Sequence, residues 1–537
     1  MSRSVLTLAI CLLFGRLIAQ QTWDWGFGQH GFALDIATDA DGYSYLVGNA
    51  YDSTGFMGFA TIGHWGYLAK IAPTGSVQWC RAFTNVTFAQ VELKDNVVFA
   101  AGHGFSTVVV GSQTFNMDST SKSYLAAAFD TSGTELWVNC AEVSHTLSTG
   151  DIDANGSGEL FVAASGSGTL STATDTFSLS QGATSILVLK YSATGDLEWV
   201  NSVGCGPGSK ARAYGVACDA SGNAYVTGFA SLASADCDSL LFGSLGMPPT
   251  SRFFLAQVDG SGTFQWLRHG FNATGNDVEY LDNDSLIVTG VFPDSTNAVG
   301  IGVLHSDRID MFIGSFGSNG GSGWAYMSEV ANDSSYCEGI KLERTDDGTF
   351  LVLSGSVNTV LFDAIPLHAN GHGLQVSKFL SNGERMWSAT MEIHPAVTNT
   401  SGITPYGLSS DEAGRGYACG YFVSPNGPNY FLSWDTDSIQ GPVTGYSNFI
   451  ARTALDPSGI SERILGQWRV FPNPSTGVFY LEGPTPEEIT LLDLSGREIE
   501  RRVDSAEIDL SQFPSGVYVL HVVKAHIKCY ISLVLVR

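Results

Sequence analysis

Carboxylates recur at one place in this chain. Asp35, Asp151 and Asp277 each stand immediately before the apolar residue of a short strand-like run, and Gln90 takes that place in a fourth run. Glu338 stands two residues before the corresponding apolar position in a further run. If these runs line a common axis, the side chains gather near one mouth of it. Clustered acids can bind a cation, or act as donor and base in cleaving a polysaccharide. They can equally form a hydrated, charged entrance and nothing more. Asp35, Gln90, Asp151, Asp277 and Glu338 are therefore candidate ligand or cation residues. No residue is assigned a catalytic role.

Other motifs compete poorly. The sequence holds no HExxH, no Walker loop and no nucleophile elbow. Gly204–Lys210 (GCGPGSK) has the glycines of a phosphate loop without its Gly-Lys-Ser/Thr order. His368 and His372 are four apart but sit in HANGHG, a loop pattern that gives them no shared face. Asp151, Asp153 and Asn155 imitate the start of a calcium loop, yet its twelfth position would be Val162 instead of a bidentate Glu. A loosely held Ca²⁺ is the one cofactor left open, and no metal ligand set is assigned.

These residues need a scaffold, and its unit is clearest between Tyr214 and Trp266. YGVACDASGNAYVTG opens the unit and RFFLAQVDGSGTFQW closes it. Each half is two apolar strands meeting at an Asp-x-x-Gly turn, where Asp bonds the amides ahead of it and Gly takes a positive φ. Trp79, Trp137, Trp199, Trp266, Trp324 and Trp387 end six such units at intervals of 58 to 67 residues. Four strands per unit at that period predict a β-propeller, with each Trp packed between blades. A seventh unit begins at Tyr406 but lacks its Trp strand, while Thr22–Gly28 (TWDWGFG) is a strand without a unit. Joining the two closes a seven-bladed ring and removes an unpaired edge. Variable excursions divide the halves of each unit, several with a central Phe (Phe115, Phe177, Phe242, Phe362), and specificity is expected there.

The first 19 residues read as a secretory signal peptide: Arg3, then an apolar run from Val5 to Phe14, then small residues ending at Ala19. Without them 24 basic residues face 52 acidic ones, a balance that repels nucleic acid and suits cationic partners or plain solubility. No later run is long enough for a membrane-spanning helix. Eight cysteines remain, widely spread; Cys218 and Cys419 lie in strand patterns, and Cys205 with Cys218 is one of the pairings the sequence allows. Near residues 462–468 the chain changes character. The tail has nine acids and seven bases in short alternating strands, the pattern of a small β-sandwich.

Two resemblances follow. The unit's Asp219, Gly222, Asn223, Tyr225, Val226, Thr227 and Gly228 resemble the D-x-x-G-N-x-Y-V-T-G core of SBBP-type β-propeller repeats, which implies a fold and an extracellular setting. The tail resembles the type A C-terminal sorting domain of the type IX secretion system of Bacteroidota. Pro472, Asn473, Pro474 and Gly477 come first, then Asp493, Gly496 and Arg497, then Gly516 and Tyr518, with Lys528 before the last strand. That resemblance implies export through the periplasm, partnership with the type IX machinery, and a surface-bound or released product.

The expected architecture is all-β: signal peptide 1–19, seven-bladed β-propeller 20–465 and C-terminal β-sandwich 466–537. The expected function is a non-enzymatic binding or adhesion module for a glycan or protein ligand. A polysaccharide hydrolase or lyase using axial carboxylates, or a structural surface-layer component, are the alternatives.

Overall fold

The computed structural model of the 537-residue chain describes residues 19–535 apart from 21, 29–30, 51–65, 117–121, 146, 173–174, 180–183, 207, 233–237, 282, 294–303, 305–308, 331–334, 359, 363–364, 368–371, 395–401, 425–430, 435–436, 441–444, 455–468, 472–474, 483–487, 493–497, 503–506 and 525–526. Residues 1–18, all but the last of the segment expected to be a signal peptide, the expected domain boundary within 455–468, Pro472–Pro474 and Gly496 lie outside the described residues. Every regular element among those described is a strand.

Blade four shows how the sequence makes a blade. Lys210–Cys218, Ala224–Ser231, Phe253–Val258 and Phe264–Gly270 pair antiparallel in that order. The first turn is fixed by Asp219, whose Oδ1 accepts from the amides of Ser221 and Asn223, while Gly222 donates to the Asp219 carbonyl at φ 79°. Tyr225, fully enclosed, donates its hydroxyl to Asp219 Oδ2 at 3.0 Å. The local turn chemistry thus also satisfies a buried phenol.

Six further sets of four strands repeat the plan, innermost strand first, those of blades one and two joined in one sheet and that of blade six extended by added strands. Blade one begins at Gly31–Thr38, blade three at Leu147–Ala154, blade five at Thr274–Leu281, blade six at Tyr336–Arg344 and blade seven at Ile403–Ser410. Val77–Lys94 is continuous, pairing as the outer strand of blade one as far as Phe83 and as the inner strand of blade two from Thr84. The inner strands touch in sequence, and that of blade seven touches that of blade one, so the ring is closed. In blade seven the fourth strand is Trp23–Phe27, paired antiparallel with Gly445–Thr453. The all-β, seven-bladed expectation holds, with a β-sandwich after it.

The tryptophans bind blade to blade. Trp199 donates its indole N–H to Gly260 O, Trp266 to Ser318 O and Trp324 to Ser381 O, each in the outer turn of the next blade, and Trp25 of blade seven does so to Pro73 O of blade one. Each such bond is worth about 1 kcal/mol net, added to the apolar area of the ring. The turn glycine beneath the ring has two reasons to be glycine. Gly383 holds φ +86°, and a Cβ there would stand 2.8 Å from the Trp324 ring. The recurring Trp is scaffold.

Several excursions form small hairpins: Phe177 lies in Thr176–Ser178 against Thr169–Ser171, and Phe242, fully buried, in Leu240–Phe242 against Leu245–Met247. The C-terminal sandwich pairs a sheet of Arg469–Phe471, Val478–Glu482 and Glu507–Asp509 with one of Glu498–Arg502, Glu488–Leu492, Gly516–Lys524 and Ile527–Leu535. Phe479, Ile489, Leu491, Ile508, Leu510 and Leu520 fill the space between. Gly477 donates to Ser475 Oγ, Gly516 opens the long hairpin, Tyr518 donates to Pro514 O at 2.8 Å, and Lys528 pairs with Val523 in the last ladder.

Candidate functional site: an acidic axial cavity

Each inner strand carries a β-bulge at the same level. The residue after the extra one is Asp35, Gln90, Asp151, Gly215, Asp277, Lys341 and Gly407 in blades one to seven. A bulge twists the strand and re-aims its side chains, here toward the axis. From this level downstream the strands enclose a cavity of about 730 Å³. The inner turns rim it, with Asp39, Asp95, Asp219, Asp346, Asp411 and Glu412 among the lining residues. No described residue upstream of the bulge level lines it, so that level is its floor.

The floor acids are clasps. Asp35 Oδ2 accepts from Val91 N at 2.9 Å, Asp151 Oδ2 from Val216 N at 3.3 Å and Asp277 Oδ2 from Leu342 N at 2.7 Å, in each case the inner strand of the next blade. Gly407 and Gly215 make room for two of them, because a Cβ would stand within 2.8 Å of Asp35 Cα or 2.7 Å of Asp277 Cα. Lys341 lies among the three, paired with Asp151 and 3.7 Å from Asp277 Oδ1. Burial pushes Asp35 up to about 7 against the pull of Lys341, and carries Asp277 well above the carboxylate range. Burial depresses the Lys341 ammonium, but the three aspartates outweigh it and hold its pKa well above the usual lysine. A buried charge with this many partners stays paired.

One layer nearer the mouth, two residues further along the same strands, stand Glu92, Asp153, Glu279 and Glu343. Asp153 Oδ2 accepts from Cys218 N at 2.6 Å, and Glu343 Oε1 from the amide and hydroxyl of Ser410, both at 2.9 Å. Glu92 and Glu279 accept no hydrogen bond and make no ion pair among the described residues. Burial, reinforced by the neighbouring acids, raises both well above the usual glutamate. It also raises Asp153, and Glu343 to about 7. Lys94 and Arg344 pull the ring the other way from a distance.

The structure brings Asp35, Asp151 and Asp277 together, at the floor and not at the mouth. Gln90 shares their level but lines no part of the cavity. Glu338 stands three residues upstream of Lys341, on the far side of the floor, and accepts from Asn276 Nδ2 at 3.0 Å. The floor position in blade six precedes Leu342 instead of Ile340. Asn155 closes a turn through Ser157 N and Glu159 N while Asp151 and Asp153 face the axis, so the three do not share a calcium loop. Among the described residues no three His, Cys, Asp or Glu side chains are arranged to hold a metal ion. Cys205 is disulfide-bonded and Cys218 is a free thiol, so the two do not pair. His372 opens a strand of blade six, and His368 lies outside the described residues. Glu92, Glu279, Lys341 and Glu343, which the sequence reading passed over, and Asp153, which it weighed only as part of a calcium loop, complete the site. Counting two residues on from each bulge is the signal that finds the four acids.

No curated protein matches the sequence. Among solved structures, the chain is similar to one described as the Dos1 propeller, at 8% identity over 80% of this chain and 95% of that one, TM-score 0.35. A family PL25 ulvan lyase is similar at 8% identity over the same shares, TM-score 0.34. The extracellular domain of the putative one-component system BT4673 from B. thetaiotaomicron is similar at 10% identity, covering 96% of this chain and 98% of that one, TM-score 0.16. No helix among the described residues is long and apolar enough to cross a membrane. Residues 469–535 match the family of secretion system C-terminal sorting domains, which marks the chain as a protein exported to the cell surface or beyond by type IX secretion.

Proposed function

We propose that the chain is an exported binding module whose ligand enters the axial cavity, carried through the periplasm and across the outer membrane of a member of the Bacteroidota. One observation favours binding over turnover. Two-carboxylate catalysis needs neighbours whose pKa values are pushed apart, one kept as an acid and one as a base. In the ring of four, burial moves every member in the same direction, toward the protonated form. The floor acids are committed to inter-blade bonds. A cavity of about 730 Å³ is of the size that takes a small molecule or one end of a larger one.

The raised pKa values of Glu92 and Glu279 favour a second reading, in which one of them is the general acid of a polysaccharide hydrolase or lyase. The secreted protein, screened against glycan and peptide arrays and a panel of polysaccharides, separates the two. Binding without product release is expected. Product release abolished by Glu92→Gln or Glu279→Gln would install the enzymatic reading instead.

A further inference from the structure

We infer that an aromatic platform on the far side of the axial floor is a glycan site, where the apolar faces of sugar rings in a neutral polysaccharide lie flat. Tyr406, Tyr421 and Tyr446 of blade seven and Phe32 of blade one make it. Ring centroids stand 4.6 Å apart for Phe32 and Tyr421, 4.8 Å for Phe32 and Tyr446, 5.4 Å for Tyr421 and Tyr446, and 5.7 Å for Tyr406 and Tyr421. Tyr406 is 40% exposed and Tyr446 43%, and both touch Tyr421, so the open aromatic surface is continuous. Contiguous exposed apolar surface marks an interaction site, whereas a single exposed residue such as Leu136 needs no explanation. Phe32 and Tyr406 lie upstream of the bulge level, and none of the four lines the cavity, so the inference does not rest on the cavity reading.

The repeat itself separates this cluster from the scaffold. What the fold needs recurs blade after blade, as the inter-blade tryptophans do. The platform occurs at one seam. Tyr406 is the extra residue of the blade-seven bulge, a place taken by Leu34, Ala89, Gly150, Tyr214, Asn276 and Ile340 in blades one to six. No other blade has an aromatic residue at the place of Phe32, two before that extra residue. Blade four comes nearest, with Tyr214 and Phe229 in the places of Tyr406 and Tyr421. There Ser251 and Thr274 stand where Tyr446 and Phe32 do, and the Arg252 guanidinium lies over Phe229 at 5.9 Å. Closing the ring thus does not call for these rings.

The platform is also preorganised. Tyr421 sits inside the ladder between Thr404 and Asn448, and the Phe32 carbonyl accepts from the buried Tyr67 hydroxyl at 3.0 Å. The bulge re-aims Tyr406, whose hydroxyl is hydrogen-bonded to that of Tyr421. Rings held in this way lose little freedom when a ligand settles on them. Their packing decides what settles. The rings touch one another, so there is no gap between them for the ammonium group that an aromatic cage encloses. A sugar ring suits the open surface, with an apolar C–H face for the rings and a rim of hydroxyls for the phenols. Charge narrows the class: a chain of net charge −26 repels uronate and sulfated polysaccharides, which leaves neutral ones. Tyr446 lies in the strand that returns from the blade-seven excursion, so the site is on the face where specificity was expected.

The test is titration calorimetry of the secreted protein with cellohexaose, xylohexaose, an oligogalacturonate and choline chloride, with sedimentation velocity beside it. Saturable binding of a neutral hexasaccharide is the expected result. The Tyr406→Ala/Tyr446→Ala variant, checked by its melting curve, should bind it at least about tenfold more weakly. Tyr446→Phe keeps the ring and should retain most of the affinity, and Leu136→Ala, an exposed apolar residue elsewhere, should retain all of it. If the double variant does not fold, Tyr446→Ala alone serves. No neutral probe bound at about 10 mM, or binding that the alanine variants leave unchanged, overturns the inference. Binding of the oligogalacturonate or of choline alone overturns it too. A wild type that dimerises while Tyr406→Ala/Tyr446→Ala stays monomeric would give the patch to a second copy of the chain and sink the glycan site. Glycan binding that Glu92→Gln/Glu279→Gln abolishes and the tyrosine variants spare would belong to the cavity, refuting this inference and leaving the binding module standing.

Discussion

Replacing Trp23 by alanine tests ring closure at a single residue. Trp23 is 5% exposed, packs with Leu353, Leu374, Trp387, Met391 and Leu432 at the seam of blades six and seven, and donates its indole N–H to Thr390 O at 3.0 Å. A buried Trp covers up to about 200 Å² of mostly apolar surface. At about 25 cal/mol per Å² its loss costs about 5 kcal/mol, the upper end of measured Trp→Ala effects. The propeller spans about 430 residues, which at about 2.1 cal/mol/K per residue gives an unfolding entropy near 0.9 kcal/mol/K. If the ring melts as one unit, its midpoint therefore falls by about 5 °C in differential scanning calorimetry. If blades six and seven melt alone, about 120 residues share the loss, and a separate transition appears about 20 °C lower. The reasoning fails if the midpoint moves by less than about 1 °C, since the N-terminal strand would then carry no part of the closure.

Three further outcomes are expected. Asp35 and Glu343 have folded-state pKa values near 7, above their unfolded values. Their stabilising contribution is complete below about pH 4 and is lost as pH rises through 7. Urea denaturation should thus show the propeller losing a few kcal/mol between about pH 5 and 8, and Asp35→Asn should flatten that slope. Gly407→Ala places a methyl 2.8 Å from Asp35 Cα and Ile36 N, both backbone atoms, and should cost about 1–3 kcal/mol in the same assay. Ending the chain before Arg469 should leave the propeller in the periplasm, as cell fractionation would show; surface delivery without residues 469–535 would contradict the role of the tail.

The blade count was legible because its cause is local. Asp219 and Gly222 make the same turn wherever they recur, and an indole every 58 to 67 residues marks the outer strand. The missing strand of the seventh unit showed as a gap, and Trp23–Phe27 occupies that place in the structure. The site was half legible. Asp35, Asp151 and Asp277 share a register that any alignment of the units exposes. Glu338 misled because blade six offers two apolar residues, Ile340 and Leu342, and only the bulge decides which of them sets the register. Lys341 was passed over for the same reason. Glu92 and Glu279 could not be singled out, because what distinguishes them is the absence of a hydrogen-bond or ion-pair partner among the described residues, a property of the folded ring that no pattern of residue types encodes.

The bulge level has a consequence for how such rings diversify. Each blade contributes one side chain there, and these read Asp, Gln, Asp, Gly, Asp, Lys, Gly around the circle. Blade cores and inter-blade indoles are built from other positions, so this seven-letter word can be respelled with little disturbance to the framework. It is constrained at Gly215 and Gly407, where a Cβ would meet the backbone of the next blade at Asp277 and Val278 or at Asp35 and Ile36. Those contacts do not depend on the side chain opposite. A relative could therefore exchange Asp35 or Asp277 and still have to keep glycine at 407 and 215.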